Sequence, residues 1–133
     1  MGYFCDIYKL RFGERFSYSI VCEPEAEDVM VPFLMLQPLV ENAIVHGVEP
    51  VSRPVRLEVS VRLVDEAVEI RIKDDGAGCE NISSAEGLGI QNVKERIWLH
   101  FGERASLELS SCPGLGTEVK VRLPVVRGGG VAR

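Results

Sequence analysis

Apolar residues recur along this chain at two spacings, and each spacing predicts one type of secondary structure. Alternation at every second position is typical of half-buried β-strands. The strands predicted in this way lie near residues 16–22, 55–63, 68–73, 107–109 and 117–123. Asp65 and Glu66 separate the second strand from the third, so this pair predicts the turn of an antiparallel hairpin.

Steps of three and four residues between apolar positions predict three helices. The first, near residues 4–12, is typical of the end of a helix that begins further upstream. The second has Pro32 near its first turn, where a missing amide costs nothing, and Gly47 as its C-terminal cap. The third covers residues 90–101 and ends at Gly102. Together the elements predict an α+β fold, a two-layer sandwich whose mixed, mostly antiparallel sheet is covered on one face by helices.

Length and composition predict one domain. The chain has 133 residues, of which 46% are hydrophobic, so it can bury one sizeable core. We expect the domain to cover residues 16–125, with residues 1–15 as the tail of an upstream helical segment and residues 126–133 as a flexible tail. No apolar stretch approaches the roughly 18 residues of a spanning helix, and the first residues do not resemble a signal peptide. We therefore expect a soluble unit without membrane contact.

Charge and cysteine usage exclude two further classes of function. The formal charge of -5 argues against a nucleic-acid partner, because duplex binding depends on clustered Lys and Arg that neutralise phosphates. The four cysteines contain no CxxC pair, which disfavours a zinc site or a redox motif. Reduced thiols in a reducing, cytoplasmic compartment are the expected state.

The first segment with chemical content runs over residues 36–47, LQPLVENAIVHG. Asn42 and His46 lie four residues apart and so project from one helix face. An amide oxygen is a suitable hard ligand for Mg²⁺ that keeps several waters, although an asparagine here can also be a cap or a core-edge residue. His46 can contact a phosphate or be a hydrogen-bonded residue at a helix end. Glu41, about 100° around the helix, is the candidate catalytic group for binding a metal water or orienting an attacking group, with a solvated surface charge as the alternative.

The second segment begins with Asp74, which ends a predicted strand. Gly76 and Gly78 follow it and allow the chain to turn sharply and to approach a ligand without a Cβ in the way. An ordinary acidic turn is the alternative interpretation. Further along the chain, Gly116 and Thr117 either add a contact to the same site or form a plain hairpin turn.

The third segment, residues 87–89, has the sequence Gly-Leu-Gly and is expected to open the third helix. The free amides and the positive dipole end of a helix start favour a phosphate group. Residues 79–86 are small and polar, and we expect them to form a short mobile lid.

In this order, the segments resemble the N, G1, G2 and G3 boxes of the GHKL (Bergerat-fold) ATPases. Residues 9–15, 32–47 and 87–97 look most like the LytS-like subgroup of bacterial sensor histidine kinases, and the resemblance covers about residues 3–124. It implies that Mg²⁺ is held by Asn42 and that Asp74 accepts a hydrogen bond from the adenine amino group. The residues expected to bind ATP are Asn42, His46, Gly47, Asp74, Gly76, Gly78, Gly87, Leu88, Gly89, Asn92, Gly116 and Thr117.

The chain departs from the family pattern at two positions. Pro38 stands where the ATP-hydrolysing members have a general-base glutamate, which argues against efficient hydrolysis of ATP by water. Asp75 stands where an asparagine is usual and adds a negative charge near the base.

The resemblance implies a catalytic, ATP-binding part of a larger receptor. It would transfer the γ-phosphoryl group to a histidine in an upstream dimerisation and phosphoacceptor domain, as part of a membrane-anchored homodimer that serves a cognate response regulator. This fragment alone should not phosphorylate itself. Two alternatives remain open, namely an anti-sigma-type serine kinase of the same superfamily and a non-catalytic, nucleotide-regulated interaction module. A Walker loop is absent, because the sequence contains no GxxxxGK[ST].

Overall fold

The computed structural model describes residues 10–26, 33–48, 50–78 and 82–125. For residues 25, 33–35 and 82–89 it describes the backbone alone. Most of the predicted first helix therefore lies outside the described residues, as do Pro32 and the expected C-terminal tail. The division of the chain into an upstream tail, a domain and a flexible tail stays a prediction.

Within the described residues, five strands form one sheet with the order β1-β2-β3-β5-β4. Their bounds are Phe16–Cys22 for β1, Val55–Val64 for β2, Ala67–Asp74 for β3, Ser106–Cys112 for β4 and Gly116–Pro124 for β5. β1 is parallel to β2, and the other neighbouring strands are antiparallel. The prediction of a mixed, mostly antiparallel sheet is confirmed.

The turn between β2 and β3 consists of Asp65 and Glu66, as predicted. Their φ angles are 49° and 62°. Positive φ at both central positions is the type I′ arrangement, whose twist matches that of the two flanking strands. This turn fixes the register in which Val64 pairs with Ala67, and the same register places Leu57 opposite Asp74 at the far end.

In the described part of the chain, two long helices cover one face of this sheet. They are α1, Phe33–Ala43, and α2, Ile82–Phe101. The largest fully buried side chains come from both layers and include Phe16, Leu36, Leu39, Ile44, Leu57, Ile70, Ile72, Ile90 and Leu123. The predicted two-layer α+β sandwich is confirmed. Neither helix of the described residues is long and apolar enough to cross a membrane.

β1 is buried less than its alternating sequence predicts. Phe16 is fully buried, but Ile20 is 39% exposed and Cys22 is exposed. β1 lies at the edge of the sheet with one strand neighbour, so its later residues receive less cover from the helical layer.

The sequence predicts that Gly47 caps the C-terminus of α1, but the structure does not show this cap. The helix continues into one π-type turn, Ile44–Val48, and Gly47 has no positive φ. The lack of room for a side chain explains why position 47 is a glycine, because an added Cβ would lie 2.5 Å from Oδ1 of Asp74. The helix therefore ends in a widened turn that passes directly against β3.

The start of α2 also differs from the prediction. The helix begins at Ile82, so residues 82–86, expected as a lid, are helical and residues 87–89 lie inside the helix rather than at its start. The sequence Ser83-Ser84-Ala85-Glu86 contains no proline or glycine and has the Ser-x-x-Glu spacing of a helix N-terminus. A glycine inside a helix costs only about 1 kcal/mol, which the buried residues further along α2 outweigh. Residues 79–81 of the expected lid lie outside the described residues.

Candidate functional site

A cleft of about 210 Å³ opens between α1 and the adjoining ends of β3 and β5. Its described lining consists of Leu39, Asn42, Ala43, His46, Gly47, Ile72, Asp74, Gly78, Thr117 and Val119. Asn42, His46, Gly47, Asp74, Gly78 and Thr117 are among the residues that the sequence predicts for a nucleotide site. Three segments that are distant in sequence therefore meet at one place.

Helix and strand periodicity explain how these side chains come together. On α1 and its extension, positions 39, 42, 43 and 46 follow three- and four-residue steps and so share one face. On the sheet, Asp74 pairs with Thr117, and Ile72 pairs with Val119. Each pair points to the same side because the partners lie directly opposite each other in register. The sequence analysis does not predict that Leu39, Ile72 and Val119 form the apolar floor of the cleft. The same helix and strand periodicities nevertheless place these residues on the faces that line it.

Asp74 is the carboxylate at the bottom of the cleft and is only 2% exposed. Its Oδ1 accepts a hydrogen bond from the amide of Gly76 at 2.9 Å, and the amide of Thr117 also donates to the carboxylate. Burial raises the pKa of Asp74 to about 6, against the Gly76 hydrogen bond, and the negative charge of Asp75 acts in the same direction as burial. The Thr117 hydrogen bond and the charge of Arg53 oppose this rise.

Glycines let three backbone segments approach closer than side chains would permit. A Cβ on Gly76 would overlap the carbonyl oxygen of Gly47, and a Cβ on Gly116 would overlap the carbonyl oxygen of Asp74. Gly116 also has φ of 117°, which side-chain-bearing residues rarely adopt. The glycines at these positions therefore serve close packing around Asp74.

Backbone hydrogen bonds connect the segments of the site. The amide of Ala77 donates to the carbonyl of Gly47 at 3.0 Å, and the amide of Gly114 donates to the carbonyl of Ala77 at 2.7 Å. Asp75, the departure from the family's asparagine, accepts from the amide of Arg56 at 2.7 Å through its Oδ1. Its carboxylate thus fastens the loop after β3 to β2.

Asn42 and His46 lie on the α1 wall, and Glu41 does not line the cleft. Asn42 is half-buried, His46 is exposed at the mouth, and Glu41 is exposed beside them. Within the described ranges, no three His, Cys, Asp or Glu side chains are grouped closely enough to hold a metal ion. Asn42, the predicted metal ligand, lines the cleft.

The segment on α2 is described less fully. Gly87, Leu88 and Gly89 lie in α2, whose backbone alone is described there. Asn92 is exposed on the next turn of the helix and is not part of the described cleft lining. The roles predicted for these four residues stay predictions.

Arg53 makes contacts near the site that the sequence does not predict. Its Nη2 donates to the carbonyl of Gly76 at 3.0 Å and to the carbonyl of Gly114 at 3.2 Å. It precedes β2 in a stretch without any motif, and its acceptors lie 23 and 61 residues further along the chain. No local pattern signals such a contact.

Comparison with solved structures supports the architecture. The Erythrobacter litoralis EL346 blue-light activated histidine kinase superposes with a TM-score of 0.71 at 18% identity, over 93% of this chain and 40% of that one. The catalytic domain of histidine kinase ThkA gives 0.67 at 10% identity, over 92% and 85%. At these low sequence identities, the structural similarity shows the fold alone.

Sequence comparison shows the family. The chain is 32% identical over 126 residues to sensor histidine kinase YesM of Bacillus subtilis, and 31% identical over 134 residues to sensor protein LytS of Bacillus anthracis. These matches cover 92% and 91% of this chain but only 22% and 23% of the relatives' lengths. Residues 27–127 match the family model for histidine kinase-, DNA gyrase B- and HSP90-like ATPases. The chain belongs to this ATPase family.

Proposed function

We propose that this chain is the ATP-binding catalytic portion of a sensor histidine kinase. The observation that carries the proposal is the buried carboxylate of Asp74 at the floor of a cleft whose other wall presents Asn42. Membership of the ATPase family and the names of the relatives YesM and LytS support the same interpretation.

Asp74 would select adenine. Two backbone amides already hold its carboxylate, and an ionised carboxylate has further lone pairs to accept a hydrogen bond from the exocyclic amino group of adenine. Guanine has a carbonyl oxygen at the corresponding ring position, which would face the carboxylate without a donor. Ile72, Val119 and Leu39 provide an apolar surface for the ring.

Asn42 would hold Mg²⁺. The donor set fits this ion. Asn42 offers one neutral amide, the described residues contain no carboxylate cluster, and Mg²⁺ keeps waters and takes its remaining ligands from phosphate oxygens. When bound, Mg²⁺ would supply neutralisation of the phosphate charge. His46, at the mouth of the cleft, would contact the phosphates, and Glu41, exposed outside the cleft lining, would orient a group beside them.

The reaction would be phosphoryl transfer to a side chain. Pro38 occupies the position at which the ATP-hydrolysing members place their base, so the chain offers no acid there to activate water. Transfer from a bound nucleotide depends mainly on positioning and charge neutralisation. The acceptor would be a histidine in an upstream dimerisation domain of a homodimeric, membrane-anchored protein, with a response regulator as the next acceptor.

Calorimetric titration with ATP, ADP and GTP in the presence of Mg²⁺ tests this function. We expect heat for both adenine nucleotides, a much weaker response to GTP and no self-phosphorylation of the isolated chain. Absence of binding by any adenine nucleotide would contradict the proposal and favour a non-catalytic interaction module. An acid-labile phosphate on the isolated chain would contradict the predicted absence of its acceptor.

A further inference from the structure

Arg53 connects the loop after β3, which contributes Gly78 to the cleft, with the β4–β5 turn. One nitrogen, Nη2, lies 3.0 Å from the carbonyl oxygen of Gly76 and 3.2 Å from that of Gly114, and Nη1 lies 3.4 Å from the carbonyl oxygen of Pro54. The side chain is largely exposed. Ordering an exposed arginine costs rotamer entropy, and charge-assisted hydrogen bonds to carbonyl groups on separate segments offset that cost.

The loop after β3 contacts Asp74 directly, and the β4–β5 turn contacts that loop. Gly76, which accepts from Arg53, donates its amide to Oδ1 of Asp74 at 2.9 Å. Gly114 belongs to the β4–β5 turn and donates its own amide to Ala77 at 2.7 Å. The guanidinium thus closes a ring in which the loop after β3 is held to the β4–β5 turn from both sides.

We propose that Arg53 is a positioning residue that clamps the loop after β3 to the β4–β5 turn and thereby holds the carboxylate of Asp74 for the adenine base. This inference rests on the proposed nucleotide-binding function of the cleft. It goes beyond that function in assigning a role to a residue that lies outside the nucleotide-binding motifs and does not line the cleft.

Electrostatics give Arg53 a second effect on the same carboxylate. Its positive charge lowers the pKa of Asp74 against burial and against the negative charge of Asp75. Among the described residues, His46 from the extension of α1 and the uncharged Thr117 from β5 line the cleft together with Asp74. Replacing Arg53 by a neutral residue should therefore raise the pH below which Asp74 becomes protonated.

Three variants separate the clamp from the charge. Arg53→Met removes both, whereas Arg53→Lys keeps the charge but replaces the planar fork by a shorter point donor. Arg56→Met is the matched control, because it removes the same charge three residues later from a side chain whose ion-pair partner is the exposed Glu58. Each variant would be titrated with ADP and Mg²⁺ between pH 5 and 8, and amide hydrogen exchange of Ala77 and Gly114 would be followed without nucleotide.

We expect Arg53→Met to bind ADP about five- to tenfold more weakly at pH 7.5, the scale of one typical hydrogen bond, because Arg53 acts on the site indirectly. Its binding should also fail at a higher pH than in the natural chain, and the Ala77 and Gly114 amides should exchange faster by a similar factor. Arg53→Lys should keep the natural pH midpoint while recovering only part of the affinity and protection. Arg56→Met should behave like the natural chain in all three measurements.

Unchanged exchange at Ala77 and Gly114 in Arg53→Met would overturn the clamp, even if ADP binding weakened. Natural affinity and pH midpoint in Arg53→Met would overturn it as well. Failure of the natural chain to bind ADP would instead refute the proposed function. The exchange measurement would still decide whether Arg53 joins the two loops, because it is made without nucleotide.

Discussion

β3 carries a nearly buried carboxylate on each face of the sheet, and the two are held in opposite ways. Glu69, on the face away from the helices, is 4% exposed. Its Oε1 lies 2.9 Å from Nε of Arg71 and 3.2 Å from Nη2 of Arg62. Asp74, on the helix-covered face, is 2% exposed and receives hydrogen bonds from backbone amides without a direct ion pair among the described residues. Similar burial therefore occurs with two different sets of partners, ion pairs for Glu69 and backbone amides for Asp74.

The pKa values follow from this difference in partners. Burial acts to raise the pKa of Glu69, but the hydrogen bond and charge of Arg71, together with Arg62, outweigh it and hold that pKa below its ordinary value. For Asp74 burial prevails and the pKa reaches about 6. Groups left with perturbed pKa values in a cleft are candidates for function, whereas a paired group is satisfied by the fold.

The largest expected effect is on the stability of the nucleotide-free chain. Asp74→Asn removes the cost of burying a charge and keeps one acceptor oxygen for the amides of Gly76 and Thr117. A rise of the pKa from 3.8 to about 6 corresponds to about 3 kcal/mol, so the variant should be more stable at pH 7.5 by up to about that amount. Urea denaturation measures this, and a less stable variant would show that the charge is compensated within the fold.

The pH dependence of stability should have opposite signs for the two carboxylates. Between about pH 4 and 6, folded Asp74 keeps a proton that the unfolded chain has released, so its contribution makes stability fall as pH rises. The pKa of Glu69 is lowered, so its contribution is present above its ordinary value of 4.5 and is lost as pH falls. Denaturation curves of Asp74→Asn and Glu69→Gln from about pH 3 to 7 should each lack one of the two trends. Identical pH profiles of stability for both variants would contradict the opposite signs expected for Asp74 and Glu69.

Asn42→Ala tests a second residue on the Asp74 side of the sheet. Alanine is a good helix former, and Asn42 is half-buried, so the melting temperature without nucleotide should change little. The extra stability that ATP with Mg²⁺ confers, about 2.7 kcal/mol at a hundredfold excess over the dissociation constant, should be lost. A large loss of stability without nucleotide, with the ATP effect preserved, would make Asn42 a structural residue.

Glu69→Gln should give the smallest effect and only on stability. Arg62 and Arg71 are 47% and 37% exposed and can regain water when their partner becomes neutral, so we expect a loss of about 1 kcal/mol. ATP affinity should not change, because Glu69 faces away from the cleft. A weaker ATP affinity in this variant would break the assignment of separate roles to the two faces.

Local patterns predicted the parts of the fold that local physics controls. The alternation of residues 55–63 and the pair Asp65 and Glu66 specify the β2–β3 hairpin, because its turn and register depend on neighbouring residues. The α1 face of the cleft follows from helix spacing, and the end of β3 at Asp74 from strand spacing.

Contacts between distant segments account for the failed predictions. Gly47 is required by the carboxylate of Asp74, 27 residues later, rather than by a helix cap. Arg53 finds its acceptors in loops that only the folded sheet brings together.

The start of α2 differs from the prediction for a local reason. The glycines at 87 and 89 predict a helix boundary, but the Ser-rich segment before them is compatible with helix and is helical in the structure.

The ATP affinity at pH 7.5 decides whether the buried carboxylate of Asp74 binds adenine. Calorimetry of the natural chain and of Asp74→Asn, both folded by circular dichroism, should show binding weakened by about 1 to 3 kcal/mol in the variant, the scale of a hydrogen bond to a charged group. Glu69→Gln, measured alongside, should bind like the natural chain. Equal ATP affinity in all three proteins would contradict adenine binding by Asp74 and remove this residue from the nucleotide site.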